Sequence, residues 1–297
     1  MNLRSRKFSE WSLAYFFVLP ALALIAVFML IPLARSVYLS FFTWNGIGSP
    51  KPIGMGNYGK LLHNPKFWEA LGHTFTFSFF TVIFTVVIGL LLAIVIDRRM
   101  KGWSVYKFIF YIPVMLSMTV VAVLFTKILE PNYGFVNMLL KGVGLDALAQ
   151  SWLGDPKYAL GSIIAITIWQ YSGFTMILFI AAMEGILPSV HEAATLDGTN
   201  ELQRMFFITI PCVKRSVFVV VMLQIIFSFK SFDTIWVMTK GGPGTTTEIL
   251  STLLYKTAFR YQDLGYASAI AVIMMLIIAV ISVIYLRFSR VGDQVIE

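Results

Sequence analysis

Charge is what this sequence has least of. Asp, Glu, Lys and Arg make up 13% of its 297 residues, about half the quarter found in soluble globular chains. That leaves too little polar surface to cover a water-soluble particle, so a soluble fold is excluded. Cysteine is nearly absent: the single Cys212 allows no internal disulfide and is silent on redox compartment. The three histidines are dispersed, and His191-Glu192 lacks the second histidine of a zinc protease helix. No G-x-x-x-x-G-K-S/T phosphate loop occurs. The glycine-rich run from Lys240 to Thr247 lacks that spacing and reads as a flexible turn. ATP hydrolysis by this chain is thereby excluded. A membrane enzyme would need a clustered catalytic set, which these histidines and one cysteine do not supply. There is no tandem repeat, low-complexity stretch or second soluble domain.

Apolar residues fill the space that charge leaves. They make up 58% of the chain, and the mean hydropathy is +0.80. A spanning helix needs about 20 apolar residues. Six runs reach that length, roughly 13–34, 74–96, 108–129, 159–182, 217–238 and 264–286. The third carries only Lys127, near its end, where it can snorkel to the headgroups. The fifth carries Lys230 and Asp233, three residues apart and able to pair near the outer end. The first run exceeds the 7 to 15 residues of a signal-peptide core and lacks a small-x-small cleavage site. It therefore reads as an uncleaved helix, with Pro20 and Pro32 tolerated as membrane helices allow. The expected fold class is all-α, a polytopic membrane protein with six transmembrane helices.

The net charge of +8 comes from basic residues scattered between apolar runs. It fits membrane-flanking cations, not nucleic acid. The cations are densest at Arg98, Arg99, Lys101 and Lys107. Placing that cluster in the cytoplasm, with Arg4, Arg6 and Lys7, puts both termini inside. The loops 37–73 and 130–157 are then external. The first contains Asn57-Tyr58 and an amphipathic stretch, 65–71; the second contains Trp152. Trp and Tyr at such depths are expected to be interfacial anchors.

The most specific segment is polar and lies between the fourth and fifth runs. Glu192-Ala193-Ala194, three residues, Gly198, nine residues, then Ile208-x-Ile210-Pro211 form one spaced pattern. Ser189 and Glu192 have capping-box spacing. The spacing predicts a short helix over 190–197, broken at Gly198 in a left-handed turn. A second helix is expected over 200–209, ending before Pro211. Small side chains at Ala193 and Ala194 would allow another surface to approach closely.

This pattern resembles the cytoplasmic coupling loop (189–211) of permease subunits in bacterial ABC importers, with Ile210 where the family has Leu. The resemblance extends from the first helix to about Phe288. Phe67-Trp68, Trp152-Leu153, Trp169-Gln-Tyr-Ser-Gly173, Phe229-Lys-Ser-Phe-Asp233 and Thr239-Lys-Gly-Gly-Pro243 point to the carbohydrate-uptake branch. Within it they point to the maltose-permease-F or glycerol-phosphate-permease-A type. The chain departs from the maltose-type example in lacking extra N-terminal helices and a large external domain.

The resemblance implies an ABC type I importer permease fold in the bacterial inner membrane. A cytoplasmic N-terminus (1–12) would precede a first helix with its external loop (13–69). A five-helix transmembrane domain (70–288) and a cytoplasmic C-terminus (289–297) would follow. It implies no cofactor on this chain, with ATP and Mg at a partner ATPase. The implied partners are a second homologous permease forming a heterodimer, two copies of the ATPase, an extracytoplasmic sugar-binding protein and a sugar substrate. Glu192, Ala193, Ala194, Asp197, Gly198, Ile208 and Pro211 would couple to the ATPase. The rival class is an ion-coupled secondary transporter of a small polar solute, which would want charged pairs at the midplane of several helices.

A sugar site wants aromatic faces and a few amides or hydroxyls. Gln224, Phe227, Ser228 and Ser231 recur at three- and four-residue steps, so they share one helix face. The resemblance implies substrate contacts on that face and on the fourth helix, which offers Gln170, Tyr171 and Phe174. The matching position on the third helix is Met118. Hydrogen bonding between helices would also account for the Ser and Gln.

Overall fold

The computed structural model of the chain describes residues 16–97 and 102–291. The segment 1–12 with its three cations, Arg98, Arg99, Lys101 and the end of the C-terminal segment lie outside the described residues. Within them the protein is helical apart from one two-stranded hairpin. Among the described residues five helices are long and apolar enough to cross a membrane, or six if one sharply bent pair is a single span. The chain divides into two compact units.

One unit comprises Met1–Asn64 with Leu254–Leu276. Its first helix, α1 (Phe16–Leu39), is apolar on every side, and none of its most apolar stretch is buried in this chain. A π-turn at Ala26–Leu30 precedes Pro32, and Ile31 N–H reaches back to the Ala26 carbonyl. The widened turn relieves the clash a proline makes with the preceding turn. Strands β1 (Phe42–Thr43) and β2 (Lys51–Pro52) pair antiparallel, Phe42 opposite Pro52. Helix α2 (Gly56–Leu62) follows. Asn57 is buried in it and donates to the Ser40 and Phe42 carbonyls, at 2.8 Å each. The Tyr58 hydroxyl meets Ser40 Oγ at 2.7 Å. These two residues clasp the loop from within.

The other unit comprises Pro65–Leu253 with Ile277–Glu297. Its central helix, α3 (Pro65–Asp97), has 33 residues. At 1.5 Å per residue it is about 50 Å long, well beyond the ~30 Å hydrocarbon core. The amphipathic stretch 65–71 is therefore the opening of a membrane helix, with Phe67 and Ala70 already buried. The third apolar run is not one helix. It is α4 (Trp103–Met115) and α5 (Met118–Ile128), bent by 93°. Pro113 sits in the last turn of α4, and Leu116 and Ser117 adopt extended ψ. Apolar runs report burial, not direction, so hydropathy gives no sign of the bend, and Pro113 is its mark in the sequence.

Helix α6 (Phe135–Gly142) lies in the loop that follows. Asn137 organises that loop by donating to the Pro131 and Gln150 carbonyls and accepting from Trp152 Nε1 at 2.7 Å. Trp152 is thus tied to the loop's own core. Helix α7 (Ala159–Glu184) is the most buried span. It packs so tightly on α3 that a Cβ at Gly89 would lie 2.6 Å from Thr175 Cγ2. On α4 it is closer still: a Cβ at Gly173 would fall on the Phe110 carbonyl oxygen.

After a loop containing α8 (Pro188–Leu196), the helix α9 begins at Glu201–Arg204 and continues through a π-turn, Met205–Thr209, to Ile210–Cys212. It does not end before Pro211. The π-turn sits just ahead of that proline, as one does ahead of Pro32, and carries the helix past it. The fifth span is α10 (Lys214–Phe229) and α11 (Asp233–Met238), interrupted at 230–232. The glycine-rich run after α11 is not a loose turn. Thr247 is fully buried, its hydroxyl donates to Gly242 and meets Thr239 Oγ1 at 2.7 Å, and Thr246 Oγ donates to Pro243. Helix α12 (Leu250–Tyr255) comes next, and the last span, α13 (Leu264–Val291), runs through both units in sequence.

Candidate functional site

The breaks in the third and fifth spans open onto one cavity of about 180 Å³. Met118 reaches it because the bend places that residue first in α5. Tyr171 lines it from α7, and Gln224, Phe227, Ser228 and Ser231 line it from α10 and the interruption beyond. Phe227 is half-exposed, and Phe174 stands behind it with ring centroids 6.4 Å apart. Gln224 and Ser228 are buried and already bonded within the bundle. Gln224 Nε2 donates to Thr175 Oγ1 at 2.7 Å, and Ser228 Oγ meets Ser78 Oγ at 2.6 Å. Their polar groups hold helices together while their sides form the wall.

Gln170 stands apart. It is buried away from the cavity, and its amide donates to the Leu116 carbonyl at 3.3 Å. That bond takes up a carbonyl freed by the break between α4 and α5. Lys230 and Asp233 both line the cavity, and among the described residues no ion pair joins them. The expected pairing is replaced by two separate charges at the interruption.

Four lining residues, Phe77, Thr81, Thr167 and Thr234, were not legible in the sequence, and two of them stand out. Thr81 on α3 and Thr234 at the start of α11 are buried, and their hydroxyls have no hydrogen-bond partner among the described residues. A buried hydroxyl left unpaired costs about 1–3 kcal/mol. Thr81 is one of several hydroxyls spaced among Phe and Val in an apolar run, so only the packing sets it apart.

The loop between the fourth and fifth spans is built from two interlocked caps. Helix α8 begins at Pro188, one residue ahead of Ser189, so Leu187 takes the cap position with no side-chain bond. Proline presets the first helical φ and displaces the serine from the cap. At the other end Gly198 has φ +72°. Its N–H bonds the Thr195 carbonyl, and Thr199 N–H bonds that of Ala194. This is a Schellman closure, reinforced by Thr199 Oγ1 donating to Ala194 at 2.7 Å. One residue on, the Asn200 N–H donates to Gln203 Oε1 and the Gln203 N–H to Asn200 Oδ1, at 2.9 and 2.8 Å. The capping box therefore forms here and not at Ser189.

Arg204 ties the two helices by donating to Thr195 Oγ1. Glu192, Ala193, Asp197, Gly198 and Pro211 face outward, Ile208 is half-buried and Ala194 is buried. Leu196, absent from the sequence expectations, is 89% exposed beside them.

The loop's cap-to-cap turn and the cavity agree with a match over the chain's own residues. Residues 85–291 match the family described as binding-protein-dependent transport system inner membrane component. The chain belongs to that family. The probable ABC transporter permease protein YurN of Bacillus subtilis is 38% identical over 94% of this chain and 97% of its own length. The lactose transport system permease protein LacF of Rhizobium radiobacter is 32% identical, over 94% of each. A bacterial alginate ABC transporter, solved with a periplasmic protein carrying alginate pentasaccharide, contains a similar chain. It has a TM-score of 0.86 and 25% identity and covers 98% of both. This protein is therefore a multi-pass permease of ABC importer type, all-α in fold.

Proposed function

We propose that this permease forms half of the path by which a bacterial ABC importer carries a sugar or oligosaccharide across the inner membrane. The cavity carries the reading: it joins aromatic faces at Tyr171 and Phe227 to hydroxyl and amide groups where two spans break. Sugar sites want that mixture. A volume of about 180 Å³ falls below the ~300 Å³ floor of ordinary small-molecule sites. One chain then supplies one wall, and a second, homologous permease supplies the other. An extracytoplasmic binding protein delivers the sugar. Two ATPase copies, holding ATP and Mg, close beneath and drive the loop 189–211, with Leu196, Ala193 and Glu192 at the contact. Both termini and that loop lie in the cytoplasm.

The test is reconstitution of the full complex in liposomes with radiolabelled maltose, trehalose and lactose, scored on whichever the wild type imports fastest. Phe227→Ala and Tyr171→Ala are expected to lower uptake at least tenfold, with assembly and the binding protein's affinity unchanged. Wild-type uptake in both variants would overturn the cavity assignment.

A further inference from the structure

Three threonine hydroxyls in the second unit are buried without a partner among the described residues: Thr81, Thr85 and Thr234. The helices can satisfy threonines themselves. Thr74 and Thr76 on α3 and Thr126 on α5 each return a hydroxyl to the carbonyl one turn back, the default for threonine in a helix. Thr81 and Thr85 lie one turn apart on the same helix and both forgo that bond. Of that pair only Thr81 is among the residues that line the cavity, with Thr234 from a different element, and both hydroxyls are covered in this conformation.

We propose that Thr81 and Thr234 are specificity-determining residues whose hydroxyls bond hydroxyl groups of the solute as it passes. The proposal rests on reading the cavity as a sugar path and adds two contacts to it. Each threonine offers one donor and two acceptor positions. So does each hydroxyl of a sugar, and neither partner needs a charge. Three other cavity residues are already engaged: Ser228 with Ser78, Gln224 with Thr175, Thr167 with the Ile163 carbonyl. Thr81 and Thr234 are the buried hydroxyls of the wall left without a partner among the described residues, beside the more open hydroxyls of Tyr171 and Ser231. A site built to bond a hydroxyl rejects an analogue lacking it far more strongly than an apolar pocket rejects an added group. Deoxy sugars should therefore be imported more slowly.

The experiment uses the same reconstituted complex and sugars with Thr81→Val, Thr81→Ser, Thr234→Val, Thr85→Val and Phe227→Ala. Valine keeps threonine's shape and deletes the hydroxyl. An isosteric swap that removes an unpaired hydroxyl does not destabilise, so all three valine variants should assemble with an unchanged or higher Tm. Uptake should fall about tenfold in Thr81→Val and Thr234→Val, the loss of one good hydrogen bond. Thr81→Ser should restore it, and Thr85→Val should match the wild type. Wild-type uptake in Thr81→Val and Thr234→Val, with Phe227→Ala impaired, overturns this proposal and leaves the cavity reading standing. Wild-type uptake in Phe227→Ala as well overturns both. Equal losses in Thr85→Val and Thr81→Val, without rescue by serine, would show a packing role and also overturn the proposal.

Discussion

Gly198 carries more of the coupling loop than any other residue. Nothing lies within 4 Å of where its Cβ would sit, so space does not demand glycine there. The φ of +72° does. A left-handed φ costs an ordinary L-residue about 1–2 kcal/mol, least for Asn. Gly198→Asn should therefore keep the Schellman closure and normal uptake. Gly198→Val, with a β-branched side chain, should lose it and release the ATPase during purification, while the permease stays in the membrane. Co-purification of the ATPase at wild-type levels with Gly198→Val would count against the loop as the lever. This residue was readable in the sequence because its spacing and the helix-breaking role of glycine agreed. The neighbouring cap was not readable: Ser189 and Asn200 both fit the rule, and only the proline before Ser189 decides between them.

Among the elements, the spans follow the apolar runs closely, since hydropathy sets length and membrane depth. Direction is set by contacts that hydropathy does not contain. The 93° bend between α4 and α5 depends on Pro113, on Leu116 leaving the helix and on Gln170 taking up the Leu116 carbonyl. The polar face of α3 at Ser78 and Thr81 emerges only when α10 packs opposite it. The tightest joint is α7 on α4. A methyl group at Gly173 meets backbone, not a side chain that can rotate away. Gly173→Ala should cost about 2–5 kcal/mol, beyond ordinary overpacking because backbone must move. A lowered Tm of the detergent-purified complex, or failure to accumulate in the membrane, checks this; an unchanged Tm would contradict the packing.

For the whole molecule, orientation can be tested with a thiol the protein already has. Cys212 is exposed, at the end of the coupling segment. If that segment faces the cytoplasm, a membrane-impermeant maleimide should leave Cys212 unlabelled in intact cells and label it after permeabilisation. In a Cys212→Ser background, Lys141→Cys in the exposed loop after α5 should label in intact cells. The reverse pattern would invert the topology. The sequence decided this orientation largely from the cations at 98–101 together with the motif, because the loops at the two ends carry nearly equal positive charge.

The two glycines pressed against neighbouring helices also bear on how such a permease can change its cargo. Every single-base change that alters what a glycine codon encodes yields a stop or a residue with a Cβ. Gly89 and Gly173 therefore have no mutational neighbour that the joints of α3 and α4 with α7 can accept. Thr81 and Ser231, facing the cavity, have many. New sugar preferences should thus arise by drift along the cavity wall, while the crossings beneath it stay fixed.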